Sequence, residues 1–186
     1  MRYLDLLTAL FATVLLVSNV ASTKLVVLGP FTFDGGTLLF PLAYIFGDVL
    51  TEVYGYRKSR RVIWIGFFAL LLATLTFQAV AHLPAPPDAE SQRFGEAFGL
   101  LLGLTPRIVL GSLLAYFLGE FANAYVLAKL KVRTEGRFFW LRALASTLVG
   151  QGLDTGVFLL VAFYGVFPKE ALLAVFPSHY AFTPGV

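Results

Sequence analysis

Long apolar runs separated by short polar intervals set the pattern of this chain. Apolar stretches at 3–21, 38–54, 62–81, 108–127 and 141–164 approach the roughly 20 residues a helix needs to cross a bilayer. They predict five membrane-spanning helices. A last apolar piece, 171–182, is short and broken by Pro177, with Pro184 just beyond, so a sixth span is left open. Two intervals carry their own signals. In 24–36, KLVVLGPFTFDGG, short β-prone runs flank Gly29-Pro30 and Asp34-Gly35-Gly36 closes the unit, which predicts a small outer hairpin between the first two spans. The interval 82–107, with PAPPDAE, reads as a solvated outer connector. The expected fold is an all-α, polytopic membrane helix bundle forming a single domain over 1–186.

Composition agrees. The chain is 58% hydrophobic and 13% charged, with a mean hydropathy of +0.80, where a soluble domain carries about 25% charged residues. It has no cysteine and two histidines, His82 and His179, which excludes disulfides, thiolate metal sites and histidine-rich metal sites. The net charge of +3 is carried by positive residues in the intervals between apolar runs, so it is not a nucleic-acid signal. Ten of the fourteen Lys and Arg residues fall on one side of the predicted spans: Arg2, the group Arg57, Lys58, Arg60 and Arg61, and Lys129, Lys131, Arg133, Arg137 and Arg142. That asymmetry places the N-terminus in the cytoplasm. The first run is expected to be a retained helix and not a signal peptide, because Asp5 cancels the single charge of Arg2.

The polar residues inside the apolar runs are the candidate chemistry. Asp48 and Glu52 lie four apart in the second span, Glu120 and Asn123 three apart in the fourth, and Gln151 and Asp154 three apart in the fifth. Each pair shares one helix face. An uncompensated acid at a helix centre costs about 2.5–3.5 kcal/mol on insertion scales, so these stripes are expected to converge on one cavity. Interhelical adhesion alone explains them poorly, since polar pairs between membrane helices contribute about 0.6 kcal/mol. Glu52 also has a second reading, as a partner for the Arg57–Arg61 basic turn. Asn19 joins the set from the first span, and the aromatic rings of Phe40, Tyr44, Trp64 and Phe121 are placed to sandwich a flat ligand. Two segments, 40–81 and 108–164, share a weak repeat. In each, a Gly-acid pair (Gly47-Asp48, Gly119-Glu120) precedes a basic turn, a tryptophan (Trp64, Trp140) and, fourteen residues on, a polar residue (Gln78, Asp154). Weak internal symmetry of this kind is common in transporter folds.

Carboxylates, carboxamides and aromatic faces suit a planar heterocycle rich in N–H donors, because a carboxylate accepts two parallel N–H bonds such as guanine's N1–H and exocyclic amine offer. A hard metal cation is the competing fit. The carboxamides and rings favour the heterocycle.

The run FPLAYIFGDVLTEVYG at 40–55, with its basic turn and Trp64, resembles the signature of the queuosine precursor transporter family, also called the vitamin uptake transporter family. GEFANAYVLAKLK at 119–131 and WLRALASTLVGQGLDT at 140–155 resemble its second half. The resemblance implies a six-helix transporter of the bacterial inner membrane. It implies import of 7-cyano-7-deazaguanine and 7-aminomethyl-7-deazaguanine, salvaged for tRNA modification. Under it, Asp48, Glu52, Glu120, Asn123, Gln151 and Asp154 occupy the family's polar positions. The implied partners are the deazaguanine and the lipid bilayer, with a homodimer as a further option, no nucleic acid and no cofactor. The chain departs from the family after Phe182, where a lysine-bearing sixth helix is expected. Two other readings stand beside the carrier: a substrate-binding subunit of an ATPase-energised uptake system, and a cation or proton channel. The first lacks its usual Ala-x-x-x-Ala docking face, since Ala9 is followed four residues later by Thr13 and Ala12 by Leu16. An enzyme is not expected, for want of a nucleophile, metal set or general-base histidine.

Overall fold

The computed structural model describes residues 2–28, 31–103 and 106–163. Six helices follow in order: α1 (Arg2–Ala21), α2 (Phe40–Tyr54), α3 (Tyr56–Ala81), α4 (Ala89–Leu102), α5 (Pro106–Arg133) and α6 (Phe139–Phe163). Between α1 and α2, strands β1 (Leu25–Leu28) and β2 (Phe31–Asp34) pair antiparallel, from Leu25 opposite Asp34 to Leu28 opposite Phe31. A short 3-10 turn, Gly35–Leu38, leads into α2. The piece 171–182 lies outside the described residues.

Among the described residues four helices, α1, α3, α5 and α6, are long and apolar enough to cross a membrane. The chain is a multi-pass helical membrane protein. The predicted second span is shorter than expected. As α2 it has 15 residues, about 22 Å at 1.5 Å per residue, against a hydrocarbon core of about 30 Å. Proline within its first turn pre-sets the helical φ. Gly55, at φ 82° and ψ 158°, caps α2 and starts α3. A side chain would find open space there, so only the backbone angle demands glycine.

Two expectations about the polar intervals are corrected. The basic group Arg57, Lys58, Arg60 and Arg61 is not a turn; it forms the first turns of α3, because Gly55 alone reverses the chain. The interval 82–107 holds a helix, α4, capped by Asp88, whose carboxylate accepts the Ser91 N–H at 2.8 Å. That bond holds the Asp88 carboxyl below the usual range. α4 rests on the end of α3 through an edge-on contact of Phe77 and Phe98 and buries no residue completely.

The core is built by α1, α2, α3 and α5, with Phe11 and Leu15, Ala43 and Leu50, Val62, Ile63 and Leu70, and Leu113, Tyr116 and Ala124. Gly66 sits at its centre, where a Cβ would collide with the Tyr116 hydroxyl and with Leu15 and Phe11. The Tyr116 hydroxyl donates to the Ile63 carbonyl at 3.3 Å. Among the described residues α6 packs chiefly on α5.

Candidate functional site

Two glycines determine how α5 meets α6. A Cβ on Gly119 would stand 2.9 Å from the Gly150 carbonyl oxygen and from the Asp154 Cβ. A Cβ on Gly150 would stand 2.9 Å from the Gly119 carbonyl oxygen and from the Asn123 Cβ. The crossing is therefore reciprocal: each glycine admits the polar residue four positions beyond the other. Small residues permit such close backbone approach between membrane helices. The result holds Asn123 of α5 and Asp154 of α6 against the opposing backbone.

From this crossing the polar stripes turn toward α2. Asn123, buried, donates from Nδ2 to Asp48 Oδ1 at 2.9 Å. Glu120, also buried, leans over α2, where a Cβ on Gly47 would lie 3.3 Å from its Oε2. Glu120 stands within electrostatic range of both Asp48 and Asp154. Tyr44, partly buried on α2, lies within range of all three acids. Gln151, next to Gly150, is buried. Thus Asp48, Tyr44, Glu120, Asn123 and Asp154 are brought together, with Gln151 beside the crossing.

The cluster is rich in acceptors and poor in donors. Glu120 and Asp154 make no hydrogen bond to the described residues. Asn123 Oδ1 and Gln151 Oε1 are buried without a partner among them. The Asn123 orientation follows from chemistry, since only its NH2 can face a carboxylate. Buried acceptors of this kind are costly unless something donates to them.

Other expected site residues fall elsewhere. Glu52 is paired, but not with Arg57–Arg61. It accepts from Arg142 Nη1 at 2.9 Å and Nη2 at 3.2 Å, and its Oε1 is 3.2 Å from Lys131 Nζ. Lys131 Nζ also donates to the Glu52 carbonyl at 2.7 Å. The physical reason is the helix turn: Arg57–Arg61 point outward from α3, while the end of α5 and the start of α6 close over the end of α2. Arg142, with 2% of its side chain exposed, further donates from Nε to the Arg137 carbonyl and from Nη2 to the Gly136 carbonyl. It thereby organises the α5–α6 turn, in which Glu135, Gly136 and Phe138 all have positive φ. Asn19 is exposed; its neighbour Ser18 is the buried residue, donating to the Gly36 carbonyl at 3.1 Å. Trp64 and Phe121 do not flank the acids. They pack with Phe67, Phe68 and Phe117 on another face. Phe40 begins α2, but its side chain lies outside the described residues. Sequence reasoning missed Gly119, Gly150, Lys131 and Arg142. The spacings Gly119-x-x-x-Asn123 and Gly150-x-x-x-Asp154 carried the signal for the glycines.

A multi-pass helix bundle with an unsatisfied polar cluster buried between its helices is the architecture of a membrane protein that handles a polar solute. The family model described as "Putative vitamin uptake transporter" matches residues 34–185. The chain belongs to this family, also called the queuosine precursor transporter family, which is one of transporters and not of enzymes. It is 36% identical over 172 residues to the "Probable queuosine precursor transporter" of Bacillus subtilis (strain 168), covering 91% of this chain and 72% of that protein. It is 28% identical over 131 residues to the "Queuosine precursor transporter" of Escherichia coli (strain K12), covering 69% of this chain and 54% of that protein. With the "Probable queuosine precursor transporter" of Haemophilus influenzae it shares 26% identity over 129 residues, 69% of this chain and 51% of that protein. The chain thus spans about half the length of the latter two relatives. No solved structure matches it.

Proposed function

We propose that the chain imports queuosine precursors, the 7-cyano and 7-aminomethyl 7-deazaguanines, across the bacterial inner membrane, with its N-terminus in the cytoplasm. The ligand sits between α2, α5 and α6, which are the second, fourth and fifth predicted spans. In this reading α2 completes a fifth crossing with the turn that precedes it. The observation that carries the proposal is the excess of acceptors gathered from three helices: buried Asp48 and Glu120 and half-buried Asp154, joined by Asn123 Oδ1 and Gln151 Oε1. A deazaguanine brings what they lack, with N1–H and an exocyclic amine side by side for one carboxylate and further N–H donors on its edge. Tyr44 supplies an aromatic face. A metal cation fits less well, because among the described residues no three carboxylates or histidines come close enough to share one ion. A protonated carboxylate of the cluster offers a route for coupling to the proton gradient.

The test is uptake in cells unable to make queuosine, read as restored modified tRNA. Asp48→Asn and Asp154→Asn are expected to lower uptake at least about ten-fold, the loss of one charge-assisted hydrogen bond. Normal uptake by both variants would overturn the site. Uptake by the chain expressed without an ATPase module separates the carrier from a binding subunit. Displacement of bound 7-cyano-7-deazaguanine by guanine ranks the ligands.

A further inference from the structure

A groove of about 540 Å³ opens between α3 and α5, lined by Arg57, Arg60, Arg61, Trp64, Phe117 and Phe121. None of the carboxylates of the polar cluster lines it. Its floor is aromatic: Trp64 meets Phe117 edge-on at 4.8 Å between centroids, Phe117 meets Phe121 at 4.6 Å, and Trp64 stacks on Phe68 at 5.6 Å. Its rim is cationic. Arg57, Arg60 and Arg61 are exposed, and among the described residues none has a hydrogen bond or ion pair.

Physical chemistry makes this rim incomplete as it stands. The three arginines and Lys58 crowd the N-terminal end of α3, where the helix dipole already presents positive charge, and the first turn holds no acid to offset them. Of the cations near the α2 and α5 ends, Lys131 and Arg142 have Glu52. From the arginines an exposed apolar row, Trp64, Phe68 and Leu72, runs on down α3 at a spacing of four. A cationic head followed by an apolar track is the complement of an amphiphile with an anionic head. A free phosphate would use the arginines and leave the track bare.

We propose that this groove binds an anionic phospholipid. Arg57, Arg60 and Arg61 hold its phosphodiester through guanidinium hydrogen bonds, and its acyl chains lie along Trp64, Phe68 and Phe117. Basic pockets at the ends of membrane helices suit such headgroups.

The chain has two tryptophans, Trp64 and Trp140, so Trp140→Phe leaves Trp64 as a fluorescent reporter inside the groove. The full chain is reconstituted in phosphatidylcholine vesicles carrying a small fraction of brominated phosphatidylglycerol or, in the matched arm, brominated phosphatidylcholine. Quenching of Trp64 is expected to show the phosphatidylglycerol enriched about five-fold or more over its bulk fraction. Adding R57Q, R60Q and R61Q together is expected to erase the enrichment. Raising salt is expected to weaken it in the otherwise unaltered protein, which tests the same charge without depending on the folding of the triple variant. Equal quenching by both lipids overturns the proposal, as does an enrichment that ignores both salt and the arginine changes. Millimolar inorganic phosphate that abolishes the enrichment would mark a free-anion site and overturn the lipid assignment.

Discussion

Asp48 and Glu52 occupy one face of α2, one turn apart, yet the protein treats them as opposites. Glu52 accepts from Arg142 twice and lies against Lys131, cations brought from the end of α5 and the start of α6. Asp48 accepts one bond from a neutral carboxamide, Asn123, and has two further acids within electrostatic range. An acid with a permanent bidentate cation is committed to structure, since its lone pairs are taken. An acid met by a neutral donor keeps acceptor capacity for something that arrives and leaves. The pair teaches that depth along a helix is a poor guide to function and that the charge of the partner is a better one.

The largest expected effect tests the committed side. Arg142→Ala leaves Glu52 without its main partner and frees the Gly136 and Arg137 carbonyls, and it should cost about 3 kcal/mol, read as a lowered melting temperature of the purified protein. An unchanged melting temperature would show that the α5–α6 turn stands without it. Next comes the crossing that supports the open side. Gly150→Ala should cost about 1–3 kcal/mol through overpacking, with uptake falling because α5 and α6 must separate; full uptake at wild-type stability would contradict the close approach. Asp48→Asn should spare stability to within about 1 kcal/mol while lowering uptake, whereas Glu52→Gln should do the reverse. If both variants lose stability and uptake alike, the contrast between the two acids fails. The smallest effect belongs to Lys131→Met. Its side chain is 41% exposed, so it should cost no more than about 0.5–1 kcal/mol, measured by the same melting curve.

Much of the polar cluster could be read beforehand, because Asp48, Glu120, Asn123, Gln151 and Asp154 stand out against apolar helices and their spacing of three or four defines a face. Arg142 could not. It reads as one more cytoplasmic charge, and only the folded turn brings it to Glu52, 90 residues away in sequence. α4 was hidden for a different reason: it is amphipathic and polar enough to pass for loop, and its signal, Asp88 as a cap, is local and weak. The outward turn of Phe121 was lost because an aromatic residue beside an acid in sequence, here Glu120, lies about 100° away on the helix surface. Such a residue shares the acid's position in the chain without sharing its environment.

The reciprocal crossing of Gly119 and Gly150 also bears on how this protein can change over evolutionary time. Each position meets the carbonyl of the other, so a side chain gained at one is not accommodated by any change at the other, because glycine has nothing left to give. Drift is open only along paths that move both helices apart, and those paths shift Asn123 and Asp154 away from the backbone each now rests against. Tolerance of a substitution at either glycine and a rearrangement of the polar cluster are therefore the same event.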